Sequence, residues 1–181
     1  MLSKIFHRLI RFSDRIRKSA YSAEIRNSIN GFHRNDIFYG EGELVFVHLP
    51  KTGGTTVSYL LQENNVKCAN LNSHNPVSLA TPITNPKYIT FLRDPVERVF
   101  SYYQMQLRDR SQPYHFLAKR GLIQFLENCW EVRNQACRYY SGFIQSEPKK
   151  HHYQRALNNL DQFFFVGNFD NFEIDLKKLL E

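Results

Sequence analysis

An apolar run that leads into a glycine-containing turn constrains this sequence more than any other feature. Residues 44–49 are almost continuously apolar, which is typical of a strand covered on both faces of a sheet. The turn 50–55 follows, and apolar residues then recur at helical spacing to about residue 64. A buried strand, a tight turn and a helix in direct succession predict an α/β fold.

The rest of the chain continues this alternation. Residues 88–92 predict a second buried strand, and Asp94, Pro95 and Glu97 form the start signal of a helix that runs to about residue 107. The stretch 67–87 is rich in Asn, Pro, Ser and Thr and predicts a long surface loop. We expect further helices near 113–119, 122–130, 134–141, 150–160 and 172–180, and a third strand at 163–166. The predicted fold class is α/β, a P-loop-like three-layer fold whose mainly parallel sheet is flanked by helices.

The positive charge is concentrated at one end of the chain. The 181 residues carry a formal net charge of +7, and their number fits one domain with an appendage. Residues 1–40 contain eight Lys or Arg and three Asp or Glu, whereas 41–181 contain sixteen and fourteen. We therefore predict a basic arm at 1–40 and a nearly balanced domain at 41–181, and we expect no nucleic-acid partner.

The arm has the pattern of a basic amphipathic helix. Ile5, Leu9, Phe12 and Ile16 recur at helical spacing, and basic residues occupy much of the remainder. Such a helix either lies on an anionic membrane surface or docks on its own domain with the basic face in solvent. The sequence shows no signal peptide and no run of the roughly 20 apolar residues that a transmembrane helix needs. We expect a cytoplasmic protein, with the arm as the candidate for peripheral membrane contact.

The spacing of the cysteines does not indicate a set of disulfides. Cys68, Cys129 and Cys137 lack C-x-x-C spacing, and their odd number argues against a set of disulfides. We expect free thiols, buried or incidental, in a reducing compartment, and no metal site.

The turn after the first strand, residues 50–56 (the first loop), has the composition of a phosphate-binding loop. Glycines permit close approach of a ligand, the N–H groups of a helix start suit an anion, and hydroxyl and ammonium groups add donors. The residues concerned are Lys51, Thr52, Gly53, Gly54, Thr55 and Thr56. In an NTP-binding P-loop the Lys directly follows the final Gly, whereas Lys51 precedes both glycines. A P-loop kinase or NTPase is therefore the less favoured alternative.

The end of the second strand, residues 93–95 (the second loop), predicts another anion clamp. Arg93 leaves the strand at the edge where the first loop opens, and Ser101 lies about two helical turns beyond Asp94. A guanidinium binds phosphate through a bidentate fork, so Arg93 and Ser101 are candidate ligands. The apolar residues of this helix, Val96, Val99, Phe100 and Tyr103, are expected to face the sheet.

Together the two loops resemble the sulfotransferases that use 3′-phosphoadenosine 5′-phosphosulfate (PAPS), in particular the carbohydrate branch similar to heparan sulfate 2-O-sulfotransferases. That family carries P-K-T-G/A-G/S-T-T/S and R-D-P-x-x-R-x-x-S-Y-Y, and this chain reads PKTGGTT at 50–56 and RDPVERVFSYY at 93–103. The resemblance spans about 43–181 and implies that 51–56 bind the 5′ side of PAPS and that Arg93 and Ser101 bind its 3′-phosphate. It also implies that Asn134 and Arg138 help to close the site, and that the acceptor is a carbohydrate hydroxyl.

The same resemblance implies roles for two side chains in sulfuryl transfer. Lys51 would stabilise the charge that develops on the leaving phosphate, and His74 would take the proton of the acceptor hydroxyl. Glu63 or Glu97 is the substitute for the base if His74 faces solvent, and the scheme needs no metal. His48 is expected in strand packing, whereas the remaining candidates, His115, His151 and His152, are expected at the surface.

Two questions stay open from the sequence. The family's domains often extend beyond the helix at 172–180, so this chain is expected to be either a compact member or a shortened one. A third functional class, a non-catalytic anion-binding protein with the same fold, stands beside the sulfotransferase and the NTPase.

Overall fold

A four-stranded parallel sheet organises the part of the chain that the computed structural model describes, residues 44–71, 74–77, 85–144 and 146–181. The strands are β1 (Leu44–Phe46), β2 (Cys68–Ala69), β3 (Lys87–Leu92) and β4 (Phe165–Asn168), in the order β2-β1-β3-β4. In register, Phe46 lies opposite Ile89, and Leu92 lies opposite Asn168. The α/β class and the parallel sheet predicted from the sequence are confirmed.

Seven α-helices lie within the described ranges. They are α1 (Gly54–Glu63), α2 (Pro95–Arg108), α3 (His115–Ala118), α4 (Leu122–Asn128), α5 (Gln135–Ser141), α6 (Lys150–Asp161) and α7 (Phe172–Leu180). Short 3₁₀ turns occupy Trp130–Val132 and Phe169–Asn171. Every helix predicted within the described ranges is therefore present, although the helix predicted at 122–130 ends at Asn128 and the 3₁₀ turn begins two residues later.

Alternate residues of β3 face different helices, as the pleat of a strand requires. Ile89 and Phe91 join the apolar cluster that includes α1 and α7. On the other face, Tyr88 and Leu92 join the cluster formed by α5 and α6, and the Thr90 hydroxyl lies 3.1 Å from that of Tyr140. Helices thus cover both faces of the sheet.

The strand predictions differ from the structure at their ends and in one omission. The ladder of β1 stops at Phe46, three residues before the predicted end, and β4 begins two residues after the predicted start. The segment predicted as a loop at 67–87 contains β2, which pairs through Leu44 with Cys68 and through Val45 with Ala69. Two residues carry too little local signal to predict a strand.

Helix α2 buries a different face from the one that its apolar residues predicted. Val96 is 75% exposed and Phe100 is 49% exposed, whereas Arg98, Tyr102 and Gln106 are buried. Tyr102 packs in a cluster with residues of α3 and α4, so this side of α2 faces other helices. The expectation that Val96 and Phe100 face the sheet was therefore wrong.

The predicted basic arm at 1–40 lies outside the described residues. Among the helices that are described, none is both long enough and apolar enough to cross a membrane.

Candidate functional site

The backbone of the first loop is held in an unusual conformation by rings packed against it. Lys51 and Gly53 have left-handed backbone conformations, with φ of 70° and 81°, and Gly53 is the N-cap of α1. A Cβ on Gly54 would lie 1.9 Å from Nε2 of His48. A Cβ on Gly53 would lie 2.8 Å from the ring of Phe172. Both glycines are therefore required by contacts that only the tertiary structure creates.

The three threonines of the first loop have different environments. Thr52 is fully buried, and its hydroxyl donates a 2.8 Å hydrogen bond to the carbonyl oxygen of Leu49. Thr55 and Thr56 are exposed in the first turn of α1, where the N–H of Thr56 donates to the carbonyl oxygen of the N-cap Gly53 at 3.0 Å. The Thr52 hydroxyl proton is therefore used within the protein in this conformation, and the role of Thr52 in binding a ligand stays a prediction. Thr55 and Thr56 face the solvent, where a ligand would approach.

The Lys51 side chain lies along α2 in a cluster of cations. Its Nζ is 3.8 Å from the sulfur of Met105, and the side chain is partly buried. Burial lowers the pKa of Lys51 from its ordinary value, and the nearby charges of Arg108 and Arg93 lower it further. Positive groups that lie close together repel one another, and a bound anion reduces this repulsion. The cluster therefore favours a negatively charged ligand.

Arg93 connects the second loop to the first. Its Nη1 donates to the carbonyl oxygen of Lys51 at 3.5 Å, and its Nη2 lies 3.3 Å from the Glu97 carboxylate. The guanidinium carbon lies 4.5 Å from the centroid of the Phe169 ring. Its Nε is buried and has no hydrogen-bond partner within the described part of the chain. The two predicted anion-binding loops therefore meet, and Arg93 keeps a donor available.

Two histidine rings lie against each other beside the first loop. The ring centroids of His48 and His74 are 4.2 Å apart, and Nδ1 of His74 lies 3.2 Å from the carbonyl oxygen of His48. His48 is buried and stacked on Phe46, as the sequence predicted. Burial, with a smaller effect of His74, lowers the pKa of His48 to about 3.

His74 is exposed as a residue, and the surroundings of its ring lower its pKa. Burial of the ring lowers the pKa of His74, and the Lys51 charge acts in the same direction, whereas the hydrogen bond with the His48 carbonyl opposes them. A carbonyl oxygen only accepts, so the His74 proton belongs on Nδ1 and a lone pair is left on Nε2. A neutral imidazole with a free lone pair is the form that a general base requires.

A buried polar chain supports the first loop from behind, and the sequence did not reveal it. Nη1 of Arg98 donates to Oε1 of Gln135 at 2.6 Å and lies 3.5 Å from the carbonyl oxygen of Pro50. Gln135 in turn donates to Oε1 of Glu131 at 3.0 Å. Burial lowers the pKa of Arg98. Arg98 belongs to the second motif, but no local pattern indicated that it would be the buried member.

The other predicted ligands, Ser101, Asn134 and Arg138, differ in their burial and in their partners. Ser101 is half-buried on α2. Asn134 donates to the carboxylate of Glu147, and Arg138 is buried, where it donates to the carbonyl oxygens of Trp130 and Glu131. In the described residues, no hydrogen bond joins Asn134 or Arg138 to either loop. Their role in closing the site remains a prediction.

The remaining histidine and glutamate candidates differ in how far their side chains are exposed to solvent. His152 is buried, where its ring stacks on Phe143 at 3.7 Å and accepts a hydrogen bond from the Lys149 N–H, so the surface prediction was wrong for it. Contacts outside its own helix bury this ring. His115 is half-buried and His151 is exposed; Glu63 and Glu97 are exposed too.

The three cysteines are buried free thiols. Burial raises the pKa of Cys68 and of Cys129 to about 12, so neither is a reactive thiolate. Within the described ranges, no group of three or more His, Cys, Asp or Glu side chains is arranged to hold a metal ion.

No protein-family model matches the chain, and no curated protein is significantly similar to it. The resemblance to sulfotransferases therefore rests on the two loop motifs. The geometry adds that these motifs, 42 residues apart at Lys51 and Arg93, lie in contact.

Proposed function

We propose that this chain is a PAPS-dependent sulfotransferase that moves a sulfuryl group from PAPS to a hydroxyl of a carbohydrate acceptor. The observation that carries the proposal is the contact between Arg93 and the backbone of Lys51, which joins the two anion-binding motifs at one edge of the sheet. A P-loop-like fold is part of the same proposal. It is supported by the position of the first loop between a central parallel strand, β1, and the helix α1.

The residues at this edge fit a ligand with two separate anionic groups. The first turn of α1, with exposed Thr55 and Thr56 and the nearby Lys51, would hold the 5′-phosphosulfate. Arg93, whose buried Nε lacks a partner among the described residues, would hold the 3′-phosphate with Ser101. A nucleotide with a single phosphate group would leave one of these two groups of donors unused.

Lys51 is the residue proposed to assist departure of the leaving group. PAPS, when bound, supplies the sulfuryl group and a phosphate on which negative charge grows during transfer. The Lys51 ammonium, already close to Arg93 and Arg108, gains an anionic partner in that state. A preorganised cation that interacts most strongly with developing charge lowers the barrier.

His74 is the residue proposed to accept the proton of the acceptor hydroxyl. The His48 carbonyl fixes the proton on Nδ1, which leaves Nε2 as the basic atom. Because burial and Lys51 lower the pKa of His74, the ring is neutral at pH 7 and ready to act as a base.

Calorimetry with adenosine 3′,5′-bisphosphate and with Mg-ADP tests the proposal. We expect binding of the bisphosphate without a metal, weakened about 10- to 100-fold in Arg93→Ala because charged hydrogen bonds are lost. Arg120→Ala is the matched control, since Arg120 also stacks on an aromatic ring, at 4.1 Å from Phe116, but belongs to neither loop. Tighter binding of Mg-ADP would instead support a kinase or NTPase.

Turnover separates a catalyst from a binding protein of the same fold. We expect PAPS to be converted to the bisphosphate in the presence of a set of neutral and acidic oligosaccharides. His74→Ala should abolish this conversion while the affinity for the bisphosphate stays nearly unchanged. Unchanged turnover would remove His74 as the base, and binding without turnover in the wild type would favour the non-catalytic alternative.

A further inference from the structure

One aromatic ring from the C-terminal part of the chain contacts both anion-binding loops. Phe169 opens the 3₁₀ turn that follows β4. Its ring lies under the Arg93 guanidinium, at 4.5 Å from centroid to guanidinium carbon. Cε2 of the same ring would be 2.9 Å from a Cβ on Gly53, so the ring also lies directly against the first loop.

The other contacts of Arg93 restrict the position of its guanidinium less than the Phe169 ring does. The hydrogen bond to the Lys51 carbonyl is long, at 3.5 Å, and the carboxylate of Glu97 belongs to a side chain that is 61% exposed. Exposed ion pairs contribute little, whereas the Arg93 side chain is only 19% exposed, and the contact of a cation with an aromatic face is stronger when it is shielded from water. The Phe169 ring is therefore the firmest support of the guanidinium among its described contacts.

We propose that Phe169 is a positioning residue for the 3′-phosphate: its ring holds the Arg93 guanidinium at a fixed distance from the first loop. The inference rests on the proposed function and assigns a residue outside both motifs to the same site. A ligand that spans the two loops requires this fixed distance, whereas a ligand that uses only the first loop does not. Phe169 should therefore set the preference for a nucleotide with a 3′-phosphate.

A neighbouring ring provides the matched control. Phe172 would approach a Cβ on Gly53 to 2.8 Å, as Phe169 does to 2.9 Å, and its ring centroid is 5.4 Å from that of Phe169. In the described structure only Phe169 of these two stacks on Arg93. Loss of the Phe172 ring should therefore disturb the first loop alone.

The test is the ratio of the dissociation constants for adenosine 5′-monophosphate and adenosine 3′,5′-bisphosphate, measured by calorimetry in the full chain. In Phe169→Leu we expect this ratio to fall about five- to tenfold, because the bisphosphate loses a positioned guanidinium. Phe169→Tyr keeps the aromatic face and should retain the ratio within about twofold. Phe172→Leu should weaken both ligands together and leave the ratio unchanged, as a purely structural effect does.

Failure of the positioning role and failure of the proposed function would give different results in this experiment. If the wild type prefers the bisphosphate and Phe169→Leu prefers it equally, the positioning role is overturned while the proposed function stands. If the wild type binds neither nucleotide, both proposals are overturned. Thermal denaturation checks that each variant is folded, and Phe169→Met, which preserves more of the packed volume, replaces the leucine variant if that one is unfolded.

Discussion

The guanidinium of Arg98 donates a 2.6 Å hydrogen bond to the side-chain carbonyl of Gln135, and both residues are buried. Arg98 also reaches the carbonyl oxygen of Pro50, where the first loop begins. Helix α5 is thereby linked to the first loop through a charged hydrogen bond. Burial makes this link important, because a guanidinium without an acceptor is costly in the interior.

Replacement of Gln135 should therefore destabilise the fold. In Gln135→Leu the buried Arg98 loses its closest acceptor, and we expect a decrease of about 2–4 kcal/mol in the free energy of unfolding, measured in urea. Gln154→Leu is the control, because Gln154 makes its hydrogen bond to Asn158 on the exposed face of α6. That change should stay within about 0.5 kcal/mol. Equal losses in the two variants would contradict the proposed importance of the buried pair.

A methyl group at Gly54 should conflict with His48. The Cβ of Gly54→Ala would lie 1.9 Å from Nε2 of His48, so the ring must move, and we expect a loss of about 1–3 kcal/mol. His48→Ala removes the ring, and the double variant should then lose less than the sum of the two single changes. A double-mutant cycle measures this coupling by urea unfolding. Strictly additive effects would show that the ring does not exclude the methyl group.

The threonines of the first loop should separate into a structural and a ligand-facing group. Thr52→Val removes the buried hydrogen bond to Leu49, and we expect about 1–3 kcal/mol of destabilisation because the carbonyl loses its donor. Thr55→Ala, at an exposed position, should keep stability within about 0.5 kcal/mol and weaken bisphosphate binding severalfold. Urea unfolding and calorimetry on both variants check this. The opposite assignment would follow if Thr55→Ala unfolded more easily and bound normally.

Because its pKa is lowered in the folded chain, His48 should make the free energy of unfolding decrease as the pH falls. The folded chain holds this pKa at about 3, whereas the unfolded chain protonates the ring near its ordinary 6.5. The contribution of His48 is thus fully present above pH 6.5 and is lost as the pH falls from 6.5 toward 3, with a slope of at most about 1.4 kcal/mol per pH unit. Free energies of unfolding in His48→Gln should show a shallower decline over this range. An identical decline would contradict the shift.

The His74 ring should titrate below its ordinary pKa, in part because of Lys51. Lys51→Met removes a nearby positive charge, so the pKa of His74 should rise toward 6.5. The internal control is His48, whose depression comes from burial and His74. Imidazole resonances followed by NMR across pH 4–8 measure the titration of His74, whereas those of His48, whose pKa is about 3, should change little over this range in either protein. A His74 pKa that does not change in Lys51→Met would mean that the two side chains do not interact.

Local signals in the sequence were sufficient for most of the fold. The start of α2 is an example: Oδ1 of Asp94 accepts 2.9 Å hydrogen bonds from the N–H groups of Val96 and Glu97, within four consecutive residues. Apolar runs likewise predicted β1, β3 and β4, with errors only at their ends. Strand β2 was missed because it is defined by its pairing with β1, a contact between residues 24 positions apart.

The sequence by itself determined the two loop motifs, their order and their positions after strands, because each is a short pattern of backbone-directing and charged residues. Only the tertiary structure decided which of their side chains are buried and which face the solvent. It buried Thr52 and Arg98, exposed Thr55, and brought Phe169 under Arg93 from 76 residues away. The reason is physical: burial and ring stacking depend on what packs against a residue from distant parts of the chain, and no local pattern encodes that partner.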